Sequence, residues 1–320
     1  MQPNVVFIIL NWNGKDFLET CLGSVFAQEY GNFEVVLADN ASTDGSADRA
    51  KECFPRTDLV RLPENLGYSK GNNAGIRYAL EKYQADYVLL LNNDIELKGV
   101  KWLAEMVAAA ESDPLAGVLG CRLLYPDGTL QSLGRAITPY GFPPAEPPAA
   151  PDERAKPWKV DAVIGAVFLI RRALLDRIGL LDEGFSPFAA EDIDYCARAG
   201  MAGYSVKVVP GAEAIHYSSR TIKRLPSFYA RVAAKKGEIR FRMLNLPVSQ
   251  LLKFAVFEVY QFAAHIFERK DKTRSFSPGN IGVREAWREN AAWYYQAYIQ
   301  NLRALRDILT KRFSRGKRLW

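Results

Sequence analysis

The chain has 320 residues, of which 48% are hydrophobic and 24% charged; this is typical of a soluble globular protein with one large domain or two of ordinary size. Residues 220–320 hold 22 Lys and Arg against 7 Asp and Glu, and residues 1–219 hold the other 20 basic and 29 acidic residues. The resulting charges of +15 and −9 predict two regions of opposite electrostatic character, and the basic one needs an anionic partner or surface.

Short apolar runs alternate with helical patterns over the first 125 residues. Residues 5–10 predict a first strand rather than a signal peptide, because no basic segment precedes them and no small-residue cleavage site follows. Apolar residues between 17 and 25 recur at three- and four-residue intervals, which predicts a helix. The alternation continues with strands at 33–38, 58–62 and 86–94, a helix ending near residue 83 and a helix beginning near residue 98. This order predicts a doubly wound α/β fold with a mainly parallel sheet flanked by helices.

A proline-rich segment separates this region from the next elements. Residues 139–157 hold seven of the 17 prolines, which predicts a long surface loop over the cleft. Regular patterns resume with a strand region at 160–170, an amphipathic turn at 171–178, a helix opened by residues 185–195 and stopped by Gly200 and Gly203, and a strand ending near His216.

Helical patterns with aromatic and basic residues follow Arg220. They predict a helical subdomain at 221–320, with helices at 226–244, 248–267 and 283–313 and a polar loop at 270–282. The apolar stretch 244–267 is interrupted by Lys253 and Glu258, which argues against a transmembrane span. The basic charge has two main interpretations, a solvated helix face or binding to an anionic bilayer. Nucleic-acid binding is the rival from another class, but the acidic first region argues against it.

The strand at 86–94 is the best candidate to support a site. Five unbroken apolar residues, Tyr87–Leu91, predict a strand buried on both faces, and Asn92, Asn93 and Asp94 follow it. Ligands of open α/β sheets bind beyond the carboxyl ends of the strands, so Asp94 is expected at the mouth of a cleft. The alternative is that these three residues only form a turn that ends the strand.

Polar clusters end other predicted elements as well. They are Asn11–Asn13, Asp39–Asp44, Glu191–Asp194 and His216. Asp39 and Asp44 suit the base and ribose edges of a nucleotide, whereas Asp94 suits a divalent cation on its diphosphate, with His216 as a further ligand. Two structural alternatives stay open: His216 as an ordinary core or surface histidine, and Glu191, Asp192 and Asp194 as N-terminal helix caps. The chain lacks the G-x-G-x-x-G fingerprint after its first strand and has no P-loop motif, which weakens dehydrogenase and NTPase interpretations.

Five motifs in register resemble glycosyltransferase family 2 over roughly residues 4–220. The motifs are Asn11-Trp-Asn-Gly14, Asp39-Asn-Ala-Ser-Thr-Asp-Gly45, Asn65-Leu-Gly67 with Gly71-Asn-Asn-Ala-Gly75, Asn92-Asn-Asp94, and Ala190-Glu-Asp-Ile-Asp194 followed by His216. Within the family the chain looks most like bacterial rhamnosyltransferases of surface polysaccharide synthesis. The resemblance implies a GT-A fold at 1–220 and an inverting transfer of a sugar, such as rhamnose, from a dTDP- or UDP-linked donor to a glycan or lipid-linked acceptor.

The resemblance also implies residue roles. Asp192 is the general base, Glu191 contacts the acceptor, and Asp94 and His216 bind Mg²⁺ or Mn²⁺. The implied donor-binding residues are Asn11, Asn13, Asp39, Asn40, Asp44, Asn65, Gly67, Asn73 and Asn93. The family often has Asp-x-Asp where this chain has Asn92-Asn-Asp94, so a single carboxylate is offered to the metal.

The expected setting follows from the cysteines and the basic region. Four cysteines without C-x-x-C spacing predict reduced thiols in a cytoplasmic protein rather than a disulfide frame or a zinc site. A peripheral position on the inner face of the plasma membrane and a homodimer are both compatible with the sequence, whereas nucleic acid is not an expected partner. A catalytically inactive transferase that serves as a binding protein is the remaining alternative.

Overall fold

The structure is a computed structural model that describes residues 2–138, 140–142, 144–146, 155–217, 226–267 and 283–316, with the side chains of 261–291 left aside. It divides into two compact units, Met1–Thr221 and Ile222–Trp320. The predicted polar loop at 270–282 and much of the predicted proline-rich loop, residues 147–154 included, lie outside the described residues.

The first unit is built on one sheet. Within the described residues its strands are β1 (Val5–Asn11), β2 (Phe33–Asp39), β3 (Asp58–Arg61), β4 (Tyr87–Asn92), β5 (Ile95–Leu97), β6 (Ala116–Leu124), β7 (Leu130–Ser132), β8 (Trp158–Val160), β9 (Val167–Arg171) and β10 (Ser205–His216). They are arranged in the order β3-β2-β1-β4-β9-β6-β10-β5, with β7 beside β6 and β8 beside β10.

The N-terminal half of the sheet is parallel, as the repeated strand–helix alternation predicts. β1 lies between β2 and β4, with Asn11 opposite Asp39 and Leu10 opposite Asn92. Since parallel strands that run in register end at the same edge, this pairing brings three of the predicted polar clusters together.

The other half of the sheet is mixed. β10 runs parallel to β6, whereas β9 is antiparallel to both β4 and β6, and β5 is antiparallel to β10. β5 is absent from the predicted elements, and the next helix begins at Trp102 rather than near Lys98. The backbone explains the later start of the helix. The amide of Lys98 donates to the carbonyl oxygen of Glu213. Gly99 adopts a φ of +79°, which is incompatible with a helix at this position.

Helices cover both faces of the sheet, which confirms the predicted α/β class. Within the described part of the first unit they are α1 (Leu18–Phe26), α2 (Ser46–Cys53), α3 (Gly67–Lys82), α4 (Trp102–Glu111), α5 (Arg172–Ile178) and α6 (Glu191–Met201). Alternate residues of β1 face opposite sides, so Phe7 and Ile9 join the core with α1 and α4 while Ile8 faces α3. The four cysteines are free thiols, and only Cys53 is exposed.

The second unit is helical. Its described helices are α7 (Ser227–Asn245), α8 (Val248–Phe267), α9 (Val283–Arg303) and α10 (Leu305–Ser314). The predicted single helix at 283–313 is wrong in one respect, because Ala304 leaves the helical conformation and divides it into α9 and α10. Inside the unit Lys235 Nζ lies 2.6 Å from Glu258 Oε1, so the buried carboxylate has a charged partner. Among the described helices, none has the length and apolar character that crossing a membrane requires.

Candidate active site

Asn11 is the centre of a hydrogen-bond network at the carboxyl edge of the parallel strands. Its buried amide nitrogen donates to Asp39 Oδ1 at 3.0 Å and to Ser46 Oγ at 2.9 Å. Its amide oxygen accepts from Asn93 Nδ2 at 2.8 Å. One fully buried side chain at the end of β1 therefore connects the end of β2, the residue after β4 and the start of α2.

Asp39 is buried at the end of β2, with 2% of its surface exposed. Besides Asn11, the amide of Ser42 donates to its Oδ2 at 3.3 Å, and Arg61 at the end of β3 lies 4.0 Å from the same oxygen. Each carboxylate oxygen can accept more than one hydrogen bond. The carboxylate can therefore take a further donor, such as the hydroxyl of a ribose.

The loop after β2 is held by Asn13 and Asp44. Asn13 Oδ1 accepts from the amide of Thr43 at 2.8 Å, and Asp44 accepts from Lys15 N at 2.9 Å and from Ser46 Oγ at 2.6 Å. Partial burial raises the pKa of Asp44, but the donors from Ser46 and Lys15 outweigh it and hold that pKa below its ordinary value. The contacts of Asn13 and Asp44 thus hold the loop after β2 in its conformation.

Asn40 links this loop to the segment before α3. Its amide nitrogen donates to Asn65 Oδ1 at 2.9 Å, and its oxygen accepts from Leu66 N at 2.8 Å. Gly67 has a φ of +76°, and a Cβ there would lie 2.6 Å from the carbonyl oxygen of Pro187. Only glycine fits this position, so the predicted importance of Gly67 has a backbone reason.

Asn73 is the predicted donor-binding residue that the structure does not bring to this edge. Its amide nitrogen donates to Leu181 O at 2.9 Å and Glu183 Oε1 at 3.0 Å, while its oxygen accepts from Leu181 N at 3.1 Å. These hydrogen bonds join α3 to the segment before α6.

Asp94 and His216 meet although they lie far apart in the chain. Asp94 stands in the two-residue turn between β4 and β5, and the pairing of β5 with β10 places His216 opposite Ile95. His216 Nε2 lies 3.3 Å from Asp94 Oδ1, and its Nδ1 lies 3.0 Å from Gln131 Oε1. Because Gln131 Oε1 only accepts, the Nδ1 proton points towards it, and Nε2 faces the carboxylate.

The donor set of this pair fits a divalent cation. Two ligands of one octahedral ion, each at about 2.1 Å, lie about 3 Å apart, close to the separation seen here. An imidazole nitrogen and a carboxylate oxygen are both ordinary ligands of divalent ions, and the contact of Nδ1 with Gln131 leaves Nε2 directed at the carboxylate. Among the described residues, no group of three His, Cys, Asp or Glu side chains is placed to hold a metal, so Asp94 and His216 form a pair without a third side chain of those types in this part of the chain.

Glu191 and Asp192 begin α6 and have different surroundings. Asp192 Oδ2 accepts from Gly165 N at 2.9 Å, and burial raises the pKa of Asp192 although Gly165, Ile193 and Arg135 act in the opposite direction. Burial, followed by the charge of Asp192, raises the pKa of Glu191 well above its ordinary value. A carboxylate with a raised pKa at a helix N-terminus is suited to accept a proton. Asp194 instead forms an ion pair with Arg198 at 3.0 Å and is structural.

Tyr68, Gly165 and Gln131 are residues that the sequence-based interpretation missed. Tyr68 Oη donates to Gly165 O at 2.6 Å while Gly165 N donates to Asp192 Oδ2 at 2.9 Å, so a single residue links α3 to Asp192. The family motifs give no signal for a glycine between two strands or for a glutamine in β7. These contacts join residues that lie 27 to 97 positions apart in the chain.

Backbone strain marks the same region. In the described part of the chain, the non-glycine residues with positive φ are Asn13 at 51°, Ala41 at 60°, Ala189 at 91° and Ala190 at 68°. Asn13 and Ala41 lie in polar clusters that the sequence singles out, and Ala189 and Ala190 directly precede the cluster Glu191–Asp194. Strained residues of this kind persist where the surrounding structure holds a site in place, and they concentrate at functional sites.

Comparison with known proteins gives a consistent result. Residues 6–179 match the sequence profile of Glycosyl transferase family 2. The chain is 30% identical to the N-acetylglucosaminyl-diphospho-decaprenol L-rhamnosyltransferase of Mycobacterium tuberculosis over 69% of the chain and 78% of that protein. It is 31% identical to the protein y4gI of Sinorhizobium fredii and 30% identical to the O-antigen biosynthesis protein RfbC of Myxococcus xanthus, each over 68% of the chain. The chain spans only 25% and 17% of the length of these two relatives.

A solved structure shares the fold. The crystal structure of GalNAc-T7 with UDP, GalNAc and Mn²⁺ matches 94% of the chain and 57% of that protein, with a TM-score of 0.61 and 17% identity. At this identity the likeness shows the fold alone. It confirms the predicted GT-A architecture.

Proposed function

The chain belongs to glycosyltransferase family 2, and on that premise we propose that it is an inverting transferase that moves a sugar from a nucleotide diphosphate to a hydroxyl group in cell-surface polysaccharide synthesis. The observation that carries the proposal is the convergence of Asn11, Asp39, Asp94 and His216 on one sheet edge. Residues 1–220 are the proposed transferase domain, with residues 221–320 as its helical subdomain.

The donor nucleotide belongs at the ends of β1 and β2. Asp39 is the acceptor for a nucleobase or ribose donor, and Asn11 holds that carboxylate in place. Asn13, Asn40, Asp44, Asn65, Gly67 and Asn93 shape the surrounding loops through the contacts described above. The proposed role of Asn73 becomes that of a scaffold residue, since its hydrogen bonds are used within the fold.

Asp94 and His216 would hold Mg²⁺ or Mn²⁺ against the diphosphate. When bound, such an ion offsets the negative charge that grows on the leaving diphosphate. Gln131 keeps the His216 ring oriented by its contact with Nδ1. The structure of GalNAc-T7, which shares the fold, contains Mn²⁺ and UDP, and this supports the choice of a divalent ion.

Asp192 is the proposed general base of a single in-line displacement. The acceptor oxygen forms a bond to C1 of the sugar as its proton passes to the Asp192 carboxylate, and the bond from C1 to the diphosphate oxygen breaks. The transition state has oxocarbenium character, as in glycoside hydrolysis. Glu191, buried beside the base, is the proposed acceptor contact.

The sugar and acceptor are proposed from a relative. The M. tuberculosis protein is named for rhamnosyl transfer to N-acetylglucosaminyl-diphospho-decaprenol. By that likeness we propose rhamnose on a dTDP or UDP carrier as the donor and a lipid-linked glycan as the acceptor.

The test replaces Asp192 by Asn and measures sugar transfer and donor binding separately. Removal of a general base should lower kcat by about 10²- to 10⁴-fold, while calorimetric binding of the nucleotide sugar stays within about threefold. The matched control is Asp176→Asn, because Asp176 is an exposed aspartate on α5 that pairs only with Arg172. Near-normal turnover of Asp192→Asn would refute the role of Asp192 as the general base. Absence of turnover in the wild-type chain with every donor would refute the proposal that the chain is a transferase.

A further inference from the structure

The helix α8 presents an apolar surface that glycosyl transfer does not use. Its exposed apolar side chains are Val248, Leu252, Val256, Val259 and Tyr260, with 65% to 73% of their surface exposed. The spacing of four, four, three and one residues places all five on one side of the helix. We call these five residues the α8 strip.

The opposite side of α8 is anchored in its own unit. Phe254 is buried beside Ile239 and Ala297, and Glu258 Oε2 accepts from Tyr298 Oη at 2.7 Å. The positions of Phe254 and Glu258 on the helix lie away from the strip. The helix thus already has a packed face, and the α8 strip is a second apolar face with nothing of the described unit upon it.

A cavity of about 1000 Å³ opens between α7, α8 and α9. Most of its lining is aliphatic or aromatic, including Met243, Leu251, Tyr295 and Leu302. Val259 belongs both to this lining and to the α8 strip, so the two apolar surfaces are continuous. The volume is at the upper end of the range for sites that enclose a small molecule, which is enough for part of a lipid chain.

The charge of the unit selects an anionic partner. Residues 222–320 hold 21 Lys and Arg against 7 Asp and Glu, a net charge of +14. The acidic side chains in its described part, Glu238, Glu258 and Asp307, all form ion pairs with Lys or Arg of the same unit. The acidic side chains of the unit therefore do not neutralise its net positive charge.

We propose that the α8 strip docks the C-terminal unit on an anionic lipid bilayer, with α8 lying along the interface and a lipid chain entering the adjoining cavity. An apolar helix face on a unit with a large positive net charge is the combination that binds such interfaces. A second copy of the chain would match the strip but would bring a unit of +14 against another of +14. Nucleic acid would match the charge but would leave the aliphatic side chains in water.

The test uses the full chain and two vesicle populations, one of phosphatidylcholine alone and one with 30% phosphatidylglycerol. We expect sedimentation with the anionic vesicles only, reduced by 0.5 M NaCl. The variant Leu252→Glu with Val256→Glu should lose at least tenfold in affinity, because it places two carboxylates against the lipid. Leu115→Glu is the matched control, since Leu115 is 58% exposed but lies in the first unit, and it should bind like wild type.

The possible results distinguish a lipid bilayer from other partners of the α8 strip. Equal binding by wild type and the double variant would overturn the proposal, as would absence of binding to anionic vesicles. A concentration-dependent dimer that the double variant abolishes would assign the strip to a second copy instead, and duplex DNA binding with the same sensitivity would assign it to nucleic acid. Circular dichroism of the double variant should match wild type, because both side chains are exposed.

Transfer to a water-soluble acceptor tests the proposed function independently, since it does not need the strip.

Discussion

Glu191 is a buried carboxyl group whose ionisation opposes folding. Its pKa in the folded chain lies well above the ordinary value of 4.5 because of burial and the neighbouring Asp192. Below pH 4.5 the folded and unfolded chains both hold the proton, so the group costs nothing. As the pH rises from there towards the folded pKa, only the unfolded chain ionises, and the free energy of unfolding falls.

Replacement of Glu191 by Gln should therefore stabilise the chain at neutral pH and have little effect near pH 4. The neutral amide keeps the shape of the side chain but has no proton to lose. Urea unfolding between pH 4 and pH 8 measures the difference, and Glu81→Gln on the exposed side of α3 is the control. If Glu191→Gln is less stable than wild type at pH 8, ionisation of Glu191 does not lower the free energy of unfolding.

Four of the site residues that the sequence predicts share one property, which is that they lie at the ends of regular strands. Asn11, Asp39 and His216 close apolar runs, and Asp94 stands two residues beyond another, so the alternation of the chain places all four at an edge. Gln131 and Gly165 could not be found in this way, since they contact the site through segments with no motif. Asn73 differs from these residues, because its motif is present while its amide oxygen accepts from Leu181 N within the fold.

The pairing of elements was predictable only where a crossover helix fixes the strand direction. The run of β1, β2, β3 and β4 with intervening helices dictates parallel neighbours. The apolar run of β9 is equally compatible with either direction, and only its insertion between β4 and β6 shows it to be antiparallel. The three-residue β5 exists because β10 is long enough to pair with it.

The contact of α3 with β1 gives an element-scale prediction. A Cβ added at Gly75 would lie 2.4 Å from Ile8 Cγ2, and Ile8 is fully buried. Gly75→Ala should therefore destabilise the chain by about 1–3 kcal/mol, because a β-branched residue in the sheet cannot move aside. Gly23→Ala is the matched control in α1, where nothing lies within 4 Å, and it should gain up to about 1 kcal/mol from helix propensity.

Chemical unfolding of both variants measures this difference. Equal effects of the two substitutions would show that α3 can move away from β1, and that the close approach of helix and sheet does not position the loop at Asn65 and Gly67.

At the scale of the whole molecule, the sequence divides charge and chemistry between two regions. The carboxylates of the candidate site lie in the acidic first unit, while the basic surplus lies in the second. In the proposed function, an anionic nucleotide sugar is held against acidic side chains at the site itself. A divalent cation held by Asp94 would offset that repulsion, so we propose that donor binding depends on the metal.

Ligand binding to the folded chain alone stabilises it, by about 2.7 kcal/mol when the ligand is at a hundred times its Kd. A thermal-shift panel of dTDP-, UDP- and GDP-linked sugars, each with and without Mn²⁺, should thus show a rise of several degrees for one donor, and only with the metal. Asp94→Asn and His216→Ala should lose the part of the shift that needs Mn²⁺, whereas Asp39→Ala should lose the part that depends on the nucleotide. A full shift for a donor in the absence of metal, retained by Asp94→Asn, would contradict the pairing of Asp94 and His216 as the cation site.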